Sequence, residues 1–107
     1  MRNIMLHAVL RGEADGRGAL ARLVVAGHAF GVEQLVVTVE GPAGRARTMA
    51  FVHPRTHQWA AVFEDGSELA AAGIVAGVKV RAVVADADAP QECFSSAESR
   101  VDATRDG

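Results

Sequence analysis

Two stretches in which apolar and polar side chains alternate constrain the fold of this chain more than any other feature. Over residues 34–40 the odd positions carry only Leu and Val, and three of the four even positions are polar. Over residues 78–84 the even positions are all apolar, and Lys79 and Arg81 lie between them. A period of two is the side-chain period of a β-strand with one buried face. We therefore predict two half-buried strands.

Four further short runs are rich in Val, Met, Phe and Ala and are bounded by Gly, Pro or acidic residues, which is typical of short strands. These runs cover residues 4–10, 19–26, 47–52 and 59–63. Residues 67–73 fit either one helical turn, with Ser67 as its N-cap and Gly73 just beyond its end, or a short strand.

The number of strands indicates the fold class. Strands with one apolar face must cover those faces with one another, and two packed sheets do so. We therefore predict an all-β, two-sheet sandwich of six or seven short antiparallel strands. A small SH3-like or OB-like barrel is the alternative, and it gains support if residues 67–73 form a helical turn that joins two strands.

Four segments, taken in chain order, carry a resemblance to a known architecture. They are Val-Val-Ala-Gly-His-Ala at 24–29, the strand at 34–40, Trp-Ala-Ala-Val-Phe at 59–63, and residues 77–86, which start with Gly and end with Asp. Over about residues 20–88 the chain resembles a bacterial immunoglobulin-like or fibronectin type III-like domain. The resemblance implies an immunoglobulin-like sandwich. The chain has no Tyr, so it departs from that pattern in lacking a tyrosine corner.

The chain of 107 residues has the length of a single domain. Nine basic and seven acidic residues precede position 86, whereas two basic and six acidic residues follow from there. Large apolar side chains are also few in this last part, so burial would not offset the entropy cost of ordering it. We therefore predict one sandwich domain over residues 1–88 and an acidic, disordered tail over residues 89–107.

Charge and cysteine content indicate partners and compartment. The formal net charge of −2 argues against binding to nucleic acid or to an anionic membrane, and we predict neither partner. Cys93 is the only cysteine, which excludes a disulfide within the chain. The first residues contain no apolar run long enough for a signal peptide or a membrane span. We therefore expect a cytoplasmic protein, or a surface-exposed one if the chain is a module of a larger protein.

His53 and His57 have the four-residue spacing that binds zinc when both lie on one face of a helix. Pro54 opposes a helix there, and no Cys or acidic pair nearby in the sequence completes a ligand set, so we prefer to interpret them as exposed loop histidines. The sequence also has no Gly-x-Ser-x-Gly nucleophile elbow and no phosphate-binding loop. We therefore predict no cofactor, no metal and no enzymatic activity.

Trp59 and Phe30 are the candidate aromatic contacts. A single Trp at the start of a strand is either the largest piece of the core or an exposed anchor at an interface or a sugar platform, and its apolar area favours the core. Phe30 is flanked by small residues, which leaves it little chance to be buried. Together with Phe51 and Phe63, it would otherwise close one end of the sandwich.

The predicted function follows from these candidates. We predict a noncatalytic protein-binding or assembly module that presents loops and edge strands to a partner or to a second copy. The candidate binding residues are Trp59, Phe30, His53 and His57. The first alternative is a carbohydrate-binding or accessory module of a surface protein, with Trp59 or Phe30 as its stacking platform. The second is a small metal-binding protein that uses His53 and His57.

Overall fold

The computed structural model describes residues 2–14 and 19–105, and of residues 7–10, 13, 14 and 103–105 it describes the backbone alone. Eight strands and one short helix follow one another in this part of the chain. In chain order they are β1 (Asn3–Ala14), β2 (Leu20–Phe30), β3 (Gln34–Gly41), β4 (Gly44–Phe51), β5 (Gln58–Phe63), α1 (Gly66–Ala71), β6 (Lys79–Asp86), β7 (Phe94–Arg100) and β8 (Asp102–Arg105).

The strands form two sheets of four. The first sheet has the order β5-β2-β1-β8, and the second has the order β4-β3-β6-β7. Neighbouring strands are antiparallel, except that β8 runs parallel to β1. The prediction of an all-β, two-sheet sandwich is confirmed, but the described residues form eight strands rather than six or seven, and β8 is parallel to its neighbour rather than antiparallel. No ladder in the described residues joins the two sheets, so the structure does not support the barrel alternative.

The two alternating stretches lie side by side at the centre of the second sheet. In the ladder between β3 and β6, Val37 is opposite Val84, and both side chains are fully buried. The odd positions of β3 and the even positions of β6 face the first sheet, as their period of two predicts. The opposite positions of both strands form part of the outer surface.

The prediction of a disordered tail over residues 89–107 is wrong for residues 94–105, while residues 106 and 107 lie outside the described part of the chain. Residues 94–100 form β7 along the edge of β6. Val101 is buried, donates its N–H to the carbonyl of Val78 and accepts the N–H of Gly77, each at 2.9 Å. Backbone pairing and one buried Val therefore order a segment that has few large apolar side chains.

Residues 66–71 form a helix, which decides between the two interpretations of this segment. Its N-cap is Asp65 rather than Ser67, because the Asp65 carboxylate accepts the N–H groups of Ser67 at 3.0 Å and Glu68 at 3.2 Å. Gly73 follows the helix with φ +74°, a left-handed conformation that favours Gly. In the described residues no helix is long and apolar enough to cross a membrane.

Trp59 packs on β2 at a residue that has no side chain. Trp59 is opposite Gly27 in the ladder between β2 and β5. A Cβ atom at position 27 would lie 2.9 Å from the Trp59 ring and would overlap the backbone oxygen of Met5 in β1. Only Gly therefore fits at this position, where three strands and the largest core side chain meet.

Adding a methyl group at position 27 tests this packing. We expect Gly27→Ala to lower the free energy of unfolding by about 1–3 kcal/mol, because the added atom must displace the Trp59 ring and the β1 backbone. Gly44→Ala is the matched control, since its Cβ would meet only Ala72 atoms, at 3.6 Å and beyond, and should change stability by less than about 0.5 kcal/mol. Urea unfolding measures both, and equal stability of the two variants would contradict the proposed packing.

Candidate functional site

Three connections between strands lie at one end of the sandwich. Three cross-strand pairs locate this end: Asn3 with Phe30, Gln34 with Phe51, and Leu35 with Asp86. The connections are residues 31–33 between β2 and β3, 52–57 between β4 and β5, and 87–93 between β6 and β7. We call this the loop end. The predicted site residues Phe30, His53 and His57 all lie here.

The ring of His53 holds the connection 52–57 in shape. Its Nδ1 accepts the backbone N–H groups of Arg55 at 3.1 Å and Thr56 at 3.3 Å. The backbone closes the same loop, because His53 donates its N–H to the carbonyl of Gln58 at 2.8 Å and its own carbonyl accepts the N–H of His57 at 2.9 Å. His53 is therefore an exposed loop residue whose side chain stabilises a turn.

His57 brings its ring against Phe30. Its φ of 61° places the residue in the left-handed region, and its carbonyl accepts the N–H of Ala29 at 2.8 Å. This bond fixes the start of β5 beside the end of β2. The His57 and Phe30 rings are then 4.6 Å apart between centroids, with an interplanar angle of 37°. The structure thus joins two of the four residues that the sequence singled out.

The histidine pair does not bring a ligand set together. Among the residues that the structure describes, no group of three or more His, Cys, Asp and Glu side chains is placed to hold a metal ion. His53 already uses Nδ1 in its own turn, and the His57 ring lies against Phe30.

Phe51 is the most exposed large apolar side chain among the described residues, at 73%. It lies between two open grooves. The first, of about 440 Å³, is lined by Phe51 and by residues 26–28 and 58–60. The second, of about 550 Å³, is lined by Phe51, residues 31–33, residues 52–54 and His57. We call Phe30, Phe51 and His57 the loop-end surface.

Trp59 is a core residue, and its candidacy as an exposed binding residue is wrong. Its side chain is 3% exposed and packs on Gly27. The indole Nε1 is buried and has no hydrogen-bond partner among the described residues. The large apolar area of the ring therefore contributes to folding rather than to a contact surface.

Phe51 and Met49 are absent from the candidate binding residues of the sequence, although the sequence contains a signal for both. In β4 the buried positions are Ala46 and Ala50. The large apolar side chains share the other parity with Arg45 and Arg47. When large apolar residues alternate in step with arginines and small residues occupy the remaining positions, the large ones face solvent.

Arg2 ties the beginning of the chain to the connection 87–93. Its guanidinium contacts the carboxylates of Asp86 at 3.2 Å and Glu92 at 3.1 Å. The pKa of Arg2 is raised above its ordinary value by the hydrogen bond to Glu92 and then by the hydrogen bond to Asp86. The buried carboxylate of Asp86 also accepts the N–H of Asp88 at 3.0 Å. Two carboxylates and one cation thus close the side of the loop end formed by β1 and β6.

Comparison of the chain with models of known protein families, with curated proteins and with solved structures finds no match.

The contrast between a buried Trp and an exposed Phe is directly measurable. We expect the fluorescence of Trp59 to have a blue-shifted maximum and to be quenched weakly by acrylamide, because its ring is shielded from water. The double variant W59F/F51W moves the only indole to the loop-end surface. In variant protein that thermal unfolding shows to be folded, the emission should shift to longer wavelength with several-fold stronger quenching. Equal quenching of the two proteins would contradict the placement of both side chains.

Proposed function

We propose that this chain is a noncatalytic, immunoglobulin-like module that binds a protein partner through the loop-end surface. The observation that carries the proposal is the exposure of Phe51 between two grooves, beside the ring pair of Phe30 and His57. Monomeric proteins rarely expose clusters of apolar side chains, and such clusters usually mark sites of protein interaction. A Phe flanked by grooves can bury most of its ring against a partner.

The site is built on rigid elements, which supports a role in recognition. Phe30 and Phe51 are the last residues of β2 and β4, and His57 is fixed by two backbone hydrogen bonds. Side chains held in place before binding lose little conformational entropy when a partner arrives. The loop-end surface therefore suits a binding module better than flexible loops would.

The strand order supports the immunoglobulin-like part of the proposal. With β1, β2 and β5 assigned as strands A, B and E, and with β3, β4, β6 and β7 as C, C′, F and G, the sheets have the orders E-B-A and C′-C-F-G. Immunoglobulin-type sandwiches divide their strands in this way. The strand β8 and the helix α1 are additions to that arrangement.

Cys93 is a free, half-buried thiol, which suits the proposed cytoplasmic location.

A protein partner is favoured over a carbohydrate by the state of the aromatic residues. Trp59, the main platform of the carbohydrate alternative, is buried. Phe30 is 40% exposed and has the tilted His57 ring against it. The surface therefore presents separate, tilted rings and grooves rather than one flat platform, and such features fit side chains of a protein.

Photo-crosslinking from position 51 tests the proposed function. A photoreactive phenylalanine analogue introduced at Phe51 should give a discrete adduct with a partner protein in the cells that produce the chain. The same analogue at Arg22 is the control, because Arg22 is exposed and lies toward the opposite end of β2. Phe51→Ser should weaken binding of the captured partner by about 2 kcal/mol, roughly thirtyfold, as expected for an aromatic hot spot. Identical adduct patterns from positions 51 and 22 would refute the proposed function.

A further inference from the structure

The outer surface of the second sheet is formed by one parity of each of its strands. Buried side chains alternate with outward-facing ones in β3, β4 and β6, and the ladder between β6 and β7 assigns the matching positions of β7. We call this surface the outer face. Its rows run across the four strands in the order β4, β3, β6 and β7.

One row of the outer face is entirely apolar. Its members are Met49, Val36, Ala85 and Phe94, each directly opposite the next in the ladders. Met49 is 50% exposed and Phe94 is 59% exposed. The row therefore places two large side chains in water at the two edges of the sheet, with smaller ones between them. Such an arrangement makes an apolar band across the sheet that has no cover within the described residues.

A second row of the outer face, nearer the other end of the strands, is entirely charged. Its members are Arg45, Glu40, Arg81 and Glu98, each again opposite the next. All four residues are exposed. The signs alternate across the sheet, positive, negative, positive, negative, so the row has no net charge. Arg47, Lys79 and Arg100 lie on the outer face beside this row and are also exposed, and Lys79 pairs with Glu98 within the chain at 3.2 Å.

Two copies of the charged row complement each other under one particular symmetry. A two-fold axis that runs parallel to the strands, between β3 and β6, places β4 of one copy over β7 of the other and β3 over β6. Arg45 then faces Glu98 of the second copy, and Glu40 faces Arg81. In the apolar row, Met49 faces Phe94 of the second copy. Every member of the two rows therefore meets a group of opposite charge or another apolar group.

Other two-fold arrangements lack this property. An axis that runs along the charged row would place Arg45 over Arg45 of the second copy and Glu40 over Glu40, which brings like charges together. Shared symmetry of this kind is the rule in homodimers, whose interface is the same patch on both copies. The alternating row thus favours one orientation of two copies over the other.

We propose that the outer face binds a second copy of this chain as a symmetric, face-to-face dimer about that axis. The proposal goes beyond the proposed function, because it assigns a partner to a second face of the module. Sheets that pack face to face lie about 10 Å apart with nearly aligned strands, a gap that Arg and Glu side chains span from opposite sides. The apolar row supplies the buried area, and the charged row sets the register.

Charge reversal separates contacts between copies from contacts within one chain. E40R gives a row with two basic side chains on β3 and β6, so two E40R copies would meet basic on basic. R81E gives two acidic side chains, so two R81E copies would meet acidic on acidic. In a mixed dimer of E40R and R81E, positions 40 and 81 of opposite copies carry opposite charges at both contacts. Each variant alone should have a dimer dissociation constant at least about a hundredfold higher, whereas the equimolar mixture should form the heterodimer.

Sedimentation equilibrium on the full chain measures these masses against the 11.2 kDa monomer. Glu64→Arg and Arg22→Glu are the matched controls, since both residues are exposed and lie off the outer face, and both should dimerise like the wild type. Phe94→Ser should weaken the dimer by removing an apolar contact. Thermal unfolding of every variant confirms that it is folded. Dimers of undiminished affinity in E40R and in R81E, or a mixture that stays monomeric, would overturn the proposal.

The same variants distinguish this proposal from the proposed function. A wild-type chain that stays monomeric up to about 1 mM overturns the dimer, but it leaves the adduct from position 51 to be judged separately. Phe51 has the same parity as Met49 in β4 and lies one row beyond it on the outer face, so an adduct of position 51 with a second copy reports the dimer and an adduct with a different protein reports the proposed function. In E40R only the adduct with a different protein should persist. If the wild-type chain dimerises but position 51 gives no adduct with a different protein, the proposed function alone is refuted.

Discussion

The contact between Trp59 and Gly27 is the packing on which the rest of the structure depends. The core is otherwise made largely of Val and Ala, whose side chains bury little area each. One large ring therefore contributes a substantial share of the apolar burial in the first sheet, and it can do so only because position 27 has no side chain. The ring thereby packs β5 against β2, and the first sheet is the support on which the loop end is built.

The geometry of the loop end depends on the first sheet. Because β5 starts one residue before Trp59, the place of Trp59 in the core determines where the connection 52–57 returns to the first sheet. His57 then completes a backbone hydrogen bond to Ala29, and its ring lies against Phe30. Phe51 is the last residue of β4, in the second sheet, and directly precedes the same connection. The exposed aromatic residues are thus held by both sheets, which ties their positions to the packing of the whole sandwich.

The parts of the structure that were predictable are those with a repeated side-chain signal. The alternation over 34–40 and 78–84 identified β3 and β6, because burial of one face imposes a period of two. Residues 94–100 carry no such alternation, since β7 is held mainly by backbone hydrogen bonds to β6, and these are independent of side chains. The approach of His57 to Phe30 depends on a left-handed residue, which composition does not reveal. The exposure of Phe51 was readable from its shared parity with Arg47.

The order of β7 and the assembly proposed for the outer face are linked. Phe94 and Glu98, which complete the two rows, belong to β7, so the rows exist only while β7 is paired with β6. The alternate positions of β7, which face the other way, are Ser95, Ala97 and Ser99, and side chains of this size bury little apolar area. A second copy that covers Phe94 would add the burial that β7 lacks. Because a ligand stabilises the state to which it binds, dimerisation and the ordering of this strand must strengthen each other, and a segment of weak intrinsic stability can serve as part of a specific interface.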